Sequence, residues 1–127
     1  MQKVNWNRSQ ITTRAWELVR EEFLTFSQAM ETAWHEAKVE TVLSLLKTCK
    51  SVTFSFRKTS GEVVTRTGTT FEPQLYAYNQ VPKGLMTYDK ESYKRYMDVN
   101  KAEDGIKNPW GQFKLSKLVA VKGYEYV

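Results

Sequence analysis

The chain has 127 residues, a formal net charge of +5, 41% apolar residues and 13% aromatic ones. That is room for one compact domain with a modest appendage and enough apolar bulk to fill a core, which excludes two independent domains and a disordered chain. No apolar run approaches the ~18 residues of a membrane span, and Met1-Gln2-Lys3-Val4-Asn5-Trp6 lacks the apolar core of a signal peptide. The single cysteine, Cys49, excludes an internal disulfide. The expected setting is the cytoplasm, away from membranes.

The chain divides near residue 50. In residues 1–50, Ile11, Ala15, Leu18 and Val19 recur at helical spacing, which predicts an amphipathic helix from Ser9 to Glu22 capped by Asn7 or Ser9. Thr25-Phe26-Ser27-Gln28 fits a capping box and opens a second helix, with Phe26, Met30, Ala33, Trp34 and Ala37 on one face. No Gly or Pro interrupts it before Lys50. Its outward residues include Glu31 and Glu36, which would repel phosphates, so a DNA-reading helix-turn-helix is disfavoured. Trp16, Phe26, Met30 and Trp34 are expected to be buried against one another, against the second half, or against another copy of the chain. A homodimer through the helical segment follows from that last option.

After Lys50 the period changes to two. Val52, Phe54 and Phe56 face one way, and Thr59-Ser60-Gly61 makes a turn into a partner strand from Glu62 to Thr69. The stretch 71–91 holds Pro73, Pro82, Tyr76, Tyr78 and Tyr88. It is too long for a plain connection and is expected to fold across one mouth of the sheet. Tyr93 to Val99 reads as a third strand, Asn100 to Pro109 as a charged loop, and Trp110–Phe113 and Leu118–Val121 as two more strands broken at Leu115-Ser116-Lys117. The expected fold is α+β. Two N-terminal helices (residues 1–50) pack on a five-stranded SH3-like (Sm-like) β-barrel (residues 51–127), with Val52, Phe54, Phe56, Val64, Trp110, Phe113 and Leu118 in its core.

The chemistry of a catalyst is hard to assemble. His35 is the one histidine and reads as a helix-surface residue, so neither a His-based metal site nor a Ser-His-Asp triad is expected within the chain without unusual ligands. Cys49 sits between Lys47 and Lys50 but has no evident base, and reads as a small core residue. Asp98, between Met97 and Val99, reads as a structural hydrogen-bond acceptor. Neither nucleotide-binding glycine fingerprint occurs. The expectation is a non-catalytic protein with no cofactor and no metal.

The second half gives the binding signal. Residues 1–50 hold seven Lys/Arg and six Asp/Glu, and residues 51–127 hold twelve and eight, so most of the positive excess is in the barrel half. Basic and aromatic residues interleave there: Arg57, Lys58 and Arg66 on the first hairpin; Tyr76, Tyr78 and Lys83 in the long loop; Lys94 and Arg95 on the third strand; Lys114 and Lys117 at the last turn. Tyrosine rings can stack on bases while Lys and Arg neutralise phosphates. An acidic protein surface would suit the same cations. Tyr93 and Tyr96 either join that surface or pack inward, and the alternation does not separate the two.

The helix Val42–Lys47, Val-Thr-Phe-Ser-Phe-Arg-Lys before Gly61, then Gly68-Thr69, Tyr-Met-Asp-Val and Trp-Gly-Gln-Phe-Lys-Leu-Ser-Lys-Leu at 110–118 carry a resemblance. Over residues 40–122 the chain resembles the WYL-like, Sm-like SH3 β-barrel proteins of bacteriophages and gut bacteria, and its first forty residues resemble a phage-type helical segment. The Trp-Tyr-Leu tripeptide of the larger family is absent. The resemblance implies a phage-type accessory protein in a family linked to nucleic-acid or nucleotide sensing, and the expected function is contact of the basic, aromatic barrel face with nucleic acid or a machine that handles it, in the cytoplasm of a bacterial host. A phage-encoded inhibitor of one bacterial protein is the alternative.

Overall fold

A computed structural model describes residues 1–80 and 93–126. Helix α1 (Arg8–Glu22) begins where the Asn7 side chain accepts from the Gln10 N–H at 3.1 Å. Helix α2 (Phe26–Thr48) begins at the expected capping box. There the Gln28 N–H donates to Thr25 Oγ1 at 3.2 Å, and the Thr25 N–H donates to Gln28 Oε1 at 3.1 Å. Each cap satisfies N–H groups that have no partner within the helix.

Helix α2 does two jobs along one rod. Ala29 and Ala33 are buried against Ile11, Ala15 and Leu18 of α1, whereas Val42 and Leu46 are buried against the sheet. At 3.6 residues per turn Val42 lies about 220° round the helix from Ala29. The buried stripe therefore changes flank midway, and α2 ties the helical hairpin to the strands.

The strands are β1 (Ser51–Arg57), β2 (Val63–Thr69), β3 (Tyr93–Asp98), β4 (Trp110–Lys114) and β5 (Leu118–Glu125). They form one antiparallel sheet in the order β4-β3-β2-β1-β5. β4 and β5 are its two edges, so the sheet is not closed into a barrel. It is nonetheless strongly curled. A single 3₁₀ turn, Leu115–Lys117, joins the opposite edges. In a flat sheet β1 and β4 would be about 14 Å apart, yet the rings of Phe54 and Phe113 have centroids 4.9 Å apart. Two register shifts between β1 and β5 add local twist.

Inside the curl lie Val52, Phe54, Phe56, Tyr96, Phe113, Leu118 and Val121, with Val42, Leu46 and Cys49 over one end. Of the other expected core residues, Val64 is half-buried and packs against this cluster, whereas Trp110 is half-buried in a separate cluster with Leu75, Met97 and Val99. Cys49 is fully buried. Thr69 Oγ1 donates to the Cys49 carbonyl at 2.8 Å and accepts from the Phe71 N–H at 3.0 Å; the Thr70 N–H donates to the Leu46 carbonyl at 2.9 Å. These bonds occupy carbonyls at the C-terminal end of α2, which no helical N–H can reach.

The long connection after β2 is partly ordered as a short helix, α3 (Glu72–Ala77), with Pro73 in its first turn and Leu75 buried against Met97 and Val99. Lys83 and the rest of the expected loop, residues 81–91, lie outside the described residues. The expected charged loop after β3 starts as one helical turn, α4 (Val99–Glu103), because the buried Asp98 carboxylate accepts from the Lys101 N–H at 3.2 Å. Among the described residues no helix is long and apolar enough to cross a membrane.

Candidate functional site

The β1–β2 hairpin sets one wall of a groove. Its turn closes through the Lys58 N–H to the Glu62 carbonyl and the Gly61 N–H to the Lys58 carbonyl, both 2.8 Å. Gly61 takes φ +91, a left-handed conformation that favours glycine. Arg57 Nη1 donates to the Gly61 carbonyl at 2.7 Å, which folds the guanidinium over the turn and leaves its other N–H donors outward. Arg66, on the neighbouring strand, spends one N–H on the Thr65 carbonyl at 3.1 Å.

Tyr96 forms the floor, and two glycines make room for it. A Cβ at Gly68 would stand 2.5 Å from Tyr96 Cδ2, and one at Gly111 would stand 2.8 Å from both Cζ and the phenolic oxygen. The ring therefore lies flat across bare backbone on β2 and β4. Its centroid is 5.1 Å from that of Phe54, edge to face. Burial pushes the phenol up to about 12, the Asp98 charge adds to this, and Arg66 opposes it. The floor of the groove is thus a neutral ring.

Around this floor the curl brings Arg57, Lys58, Arg66, Lys101, Lys114 and Lys117 to one groove of about 850 Å³, with Tyr93 exposed on its wall. No Asp or Glu among the described residues lines it. Among the described residues none of these six cations takes part in an ion pair. A concave site of this size with one sign of charge concentrates the field on whatever enters. Phosphate or carboxylate oxygens are the groups it can hold.

Five of the ten residues singled out in the sequence meet here: Arg57, Lys58, Arg66, Lys114 and Lys117. Four others do not. Lys94 is only 6% exposed, facing the interior side of β3 with Tyr96. Arg95 points the other way, its guanidinium 5.6 Å from the Trp110 ring centroid. Tyr76 is exposed on α3, and the Tyr78 hydroxyl donates to Glu103 Oε1 at 3.3 Å; burial and that carboxylate both raise the Tyr78 phenol. The tenth, Lys83, is outside the described residues. Lys101 and Gln112 join the groove without having been singled out. Gln112 lines the groove from β4, and Lys101 reaches it from α4, whose start is set by the Asp98 cap. Nothing local in the sequence marks either.

Among the described residues no group of three or more His, Cys, Asp or Glu side chains is placed to hold a metal ion. His35 is half-buried on α2, and Glu36 is engaged by Arg14, whose Nε donates to Glu36 Oε2 at 2.9 Å. No protein-family model, curated protein or solved structure matches the chain.

Proposed function

We propose that this is a non-catalytic, phage-type accessory binding protein whose basic groove contacts nucleic acid, or a machine that handles it, in the cytoplasm of a bacterial host. The observation that carries this reading is the set of six cations around one concave site that, among the described residues, holds no carboxylate and no ion pair. The strands, their turns and α4 place the six residues, and the Arg57 and Arg66 side chains are further held by hydrogen bonds to the Gly61 and Thr65 carbonyls, which lowers the ordering needed on binding. Tyr93 offers an exposed ring beside the charges, the combination that single strands use. The strand order, the curl and the 3₁₀ turn between β4 and β5 support an SH3-like, Sm-like assignment for the sheet.

Binding of single- and double-stranded oligonucleotides across a salt series tests the reading. The logarithm of affinity for a single strand should fall with that of salt with a slope of about −0.7 per phosphate neutralised. Absence of binding to either form at low salt overturns it. An acidic surface on a bacterial protein, bound by a phage-encoded inhibitor, would then be the partner to seek.

A further inference from the structure

The ribbon made by β3 and β4 has one buried face and one exposed face. Tyr93 stands opposite Lys114 in its register, and Arg95 stands opposite Gln112. Residues paired across two strands share a face of the sheet. These four are exposed, whereas Lys94, Tyr96 and Phe113, which alternate with them, are buried. Tyr93 and Gln112 are therefore diagonal neighbours, at a spacing of about 7 Å. The Arg95 guanidinium lies over the Trp110 ring, 5.6 Å from its centroid. What the ribbon gives to the groove is a ring, an amide and an ammonium group: Tyr93, Gln112 and Lys114.

Neutralising phosphates occupies the cations and leaves the ring and the amide without a task. An exposed tyrosine face can stack on any base, because every base has a π-face. An amide carries a hydrogen-bond donor and an acceptor side by side, as the edges of bases do. The volume of the groove, about 850 Å³, is that of sites which enclose one drug-sized molecule. A nucleotide or two of a single strand can enter it, whereas a duplex can only lie across its mouth.

We infer, resting on the reading of the groove as a nucleic-acid site, that Tyr93 and Gln112 form a base-reading subsite for a single strand. One base lies flat on Tyr93, its edge meets the Gln112 amide, and the adjoining phosphate meets Lys114, directly across from Tyr93 in the register. Adenine suits the pair best. Its N6 donor and N7 acceptor are the groups that a glutamine amide meets with two bonds, and its two-ring face covers more of the phenol than a pyrimidine does. Tyr93 then supplies affinity for any base, and Gln112 decides between bases.

Fluorescence anisotropy at one fixed salt concentration tests the inference, with labelled strands of about twelve nucleotides, near the site sizes of single-strand barrels. The probes are oligo(dA), oligo(dT) and an abasic deoxyribose-phosphate strand of equal length. Oligo(dA) should bind about tenfold or more tightly than the abasic strand, and more tightly than oligo(dT). Tyr93→Ala should remove most of the margin over the abasic strand, and Tyr93→Phe should keep it. Gln112→Ala should bring oligo(dA) and oligo(dT) within about twofold of each other and leave the salt slope unchanged, since it removes no charge. Equal binding of oligo(dA) and the abasic strand overturns the base subsite and leaves the phosphate-binding groove standing. So do a margin indifferent to Tyr93→Ala, an adenine preference that Gln112→Ala does not alter, and oligo(dT) bound as tightly as oligo(dA). Failure of every probe to bind at low salt, the abasic strand included, overturns the reading of the groove itself and the base subsite with it. Circular dichroism confirms that each variant retains its fold.

Discussion

The rings of Phe56 and Phe113 stack 5.4 Å apart at 27°, although two strands separate β1 from β4 in the sheet. This contact reports the curl directly, because only a strongly bent sheet brings those two positions together. The same bend carries Arg57, one residue beyond Phe56, towards Lys114, one residue beyond Phe113. The aromatic core and the basic groove are consequences of one curvature.

Phe113 is therefore the side chain on which both depend. Phe113→Ala leaves a cavity facing Phe54, Phe56 and Tyr96, and should cost about 3–5 kcal/mol of stability. Urea unfolding followed by tryptophan fluorescence measures it. A cost below about 1 kcal/mol would mean the sheet repacks freely and the curl is not held by these rings.

The glycines beneath Tyr96 make a second prediction. Gly68→Ala places a methyl group within 2.5 Å of Tyr96 Cδ2. Overpacking of this kind costs about 1–3 kcal/mol, against the modest gain a strand ordinarily draws from replacing glycine. In a Tyr96→Leu background the penalty should largely vanish. A double-mutant cycle of melting temperatures reads the coupling directly.

Removing groove cations should change salt dependence without changing the fold. Arg57→Gln, Arg66→Gln and Lys114→Gln should each flatten the single-strand salt slope by about 0.7. Lys122→Gln, an exposed change on β5 outside the groove, should leave the slope unaltered. Equal effects from all four would show that net charge, not the groove, holds the ligand.

Tyr96 should titrate late. Its phenol is pushed up to about 12 from an ordinary 10.0, chiefly by burial. The folded state thus keeps a proton that the unfolded chain gives up first. Folding stability from this group is fully present below pH 10.0 and falls as pH rises from there towards about 12. Ultraviolet titration of phenolate should show a late component that Tyr96→Phe abolishes.

Local chemistry was easy to read from the chain. The Thr25–Gln28 capping box, the glycine turn at Gly61 and the alternation of Val52, Phe54 and Phe56 each depend on neighbours within a few residues. The phase of β3 was not legible. Tyr93, Lys94, Arg95 and Tyr96 are all basic or aromatic, so composition cannot say which members of the alternation face inward; pairing with β2 and β4 decides it and buries Lys94 with Tyr96. Lys101 was illegible for a related reason, since its position is set by a cap on Asp98 and by a curvature that only the assembled sheet has. The exposed Phe23 breaks a local preference, and the helical spacing around it gave no warning that the turn would be left-handed.

Helix α2 is gripped on opposite flanks, by α1 near Ala29 and Ala33 and by the sheet near Val42 and Leu46. It behaves as a beam clamped at both ends. Neither half can unwind without stripping the cover from the other's neighbours, so there is no soft joint at which hairpin and sheet could part. Amide exchange along α2 should therefore be lost in one cooperative event, in step with the central strands, and heat should melt the protein in a single transition.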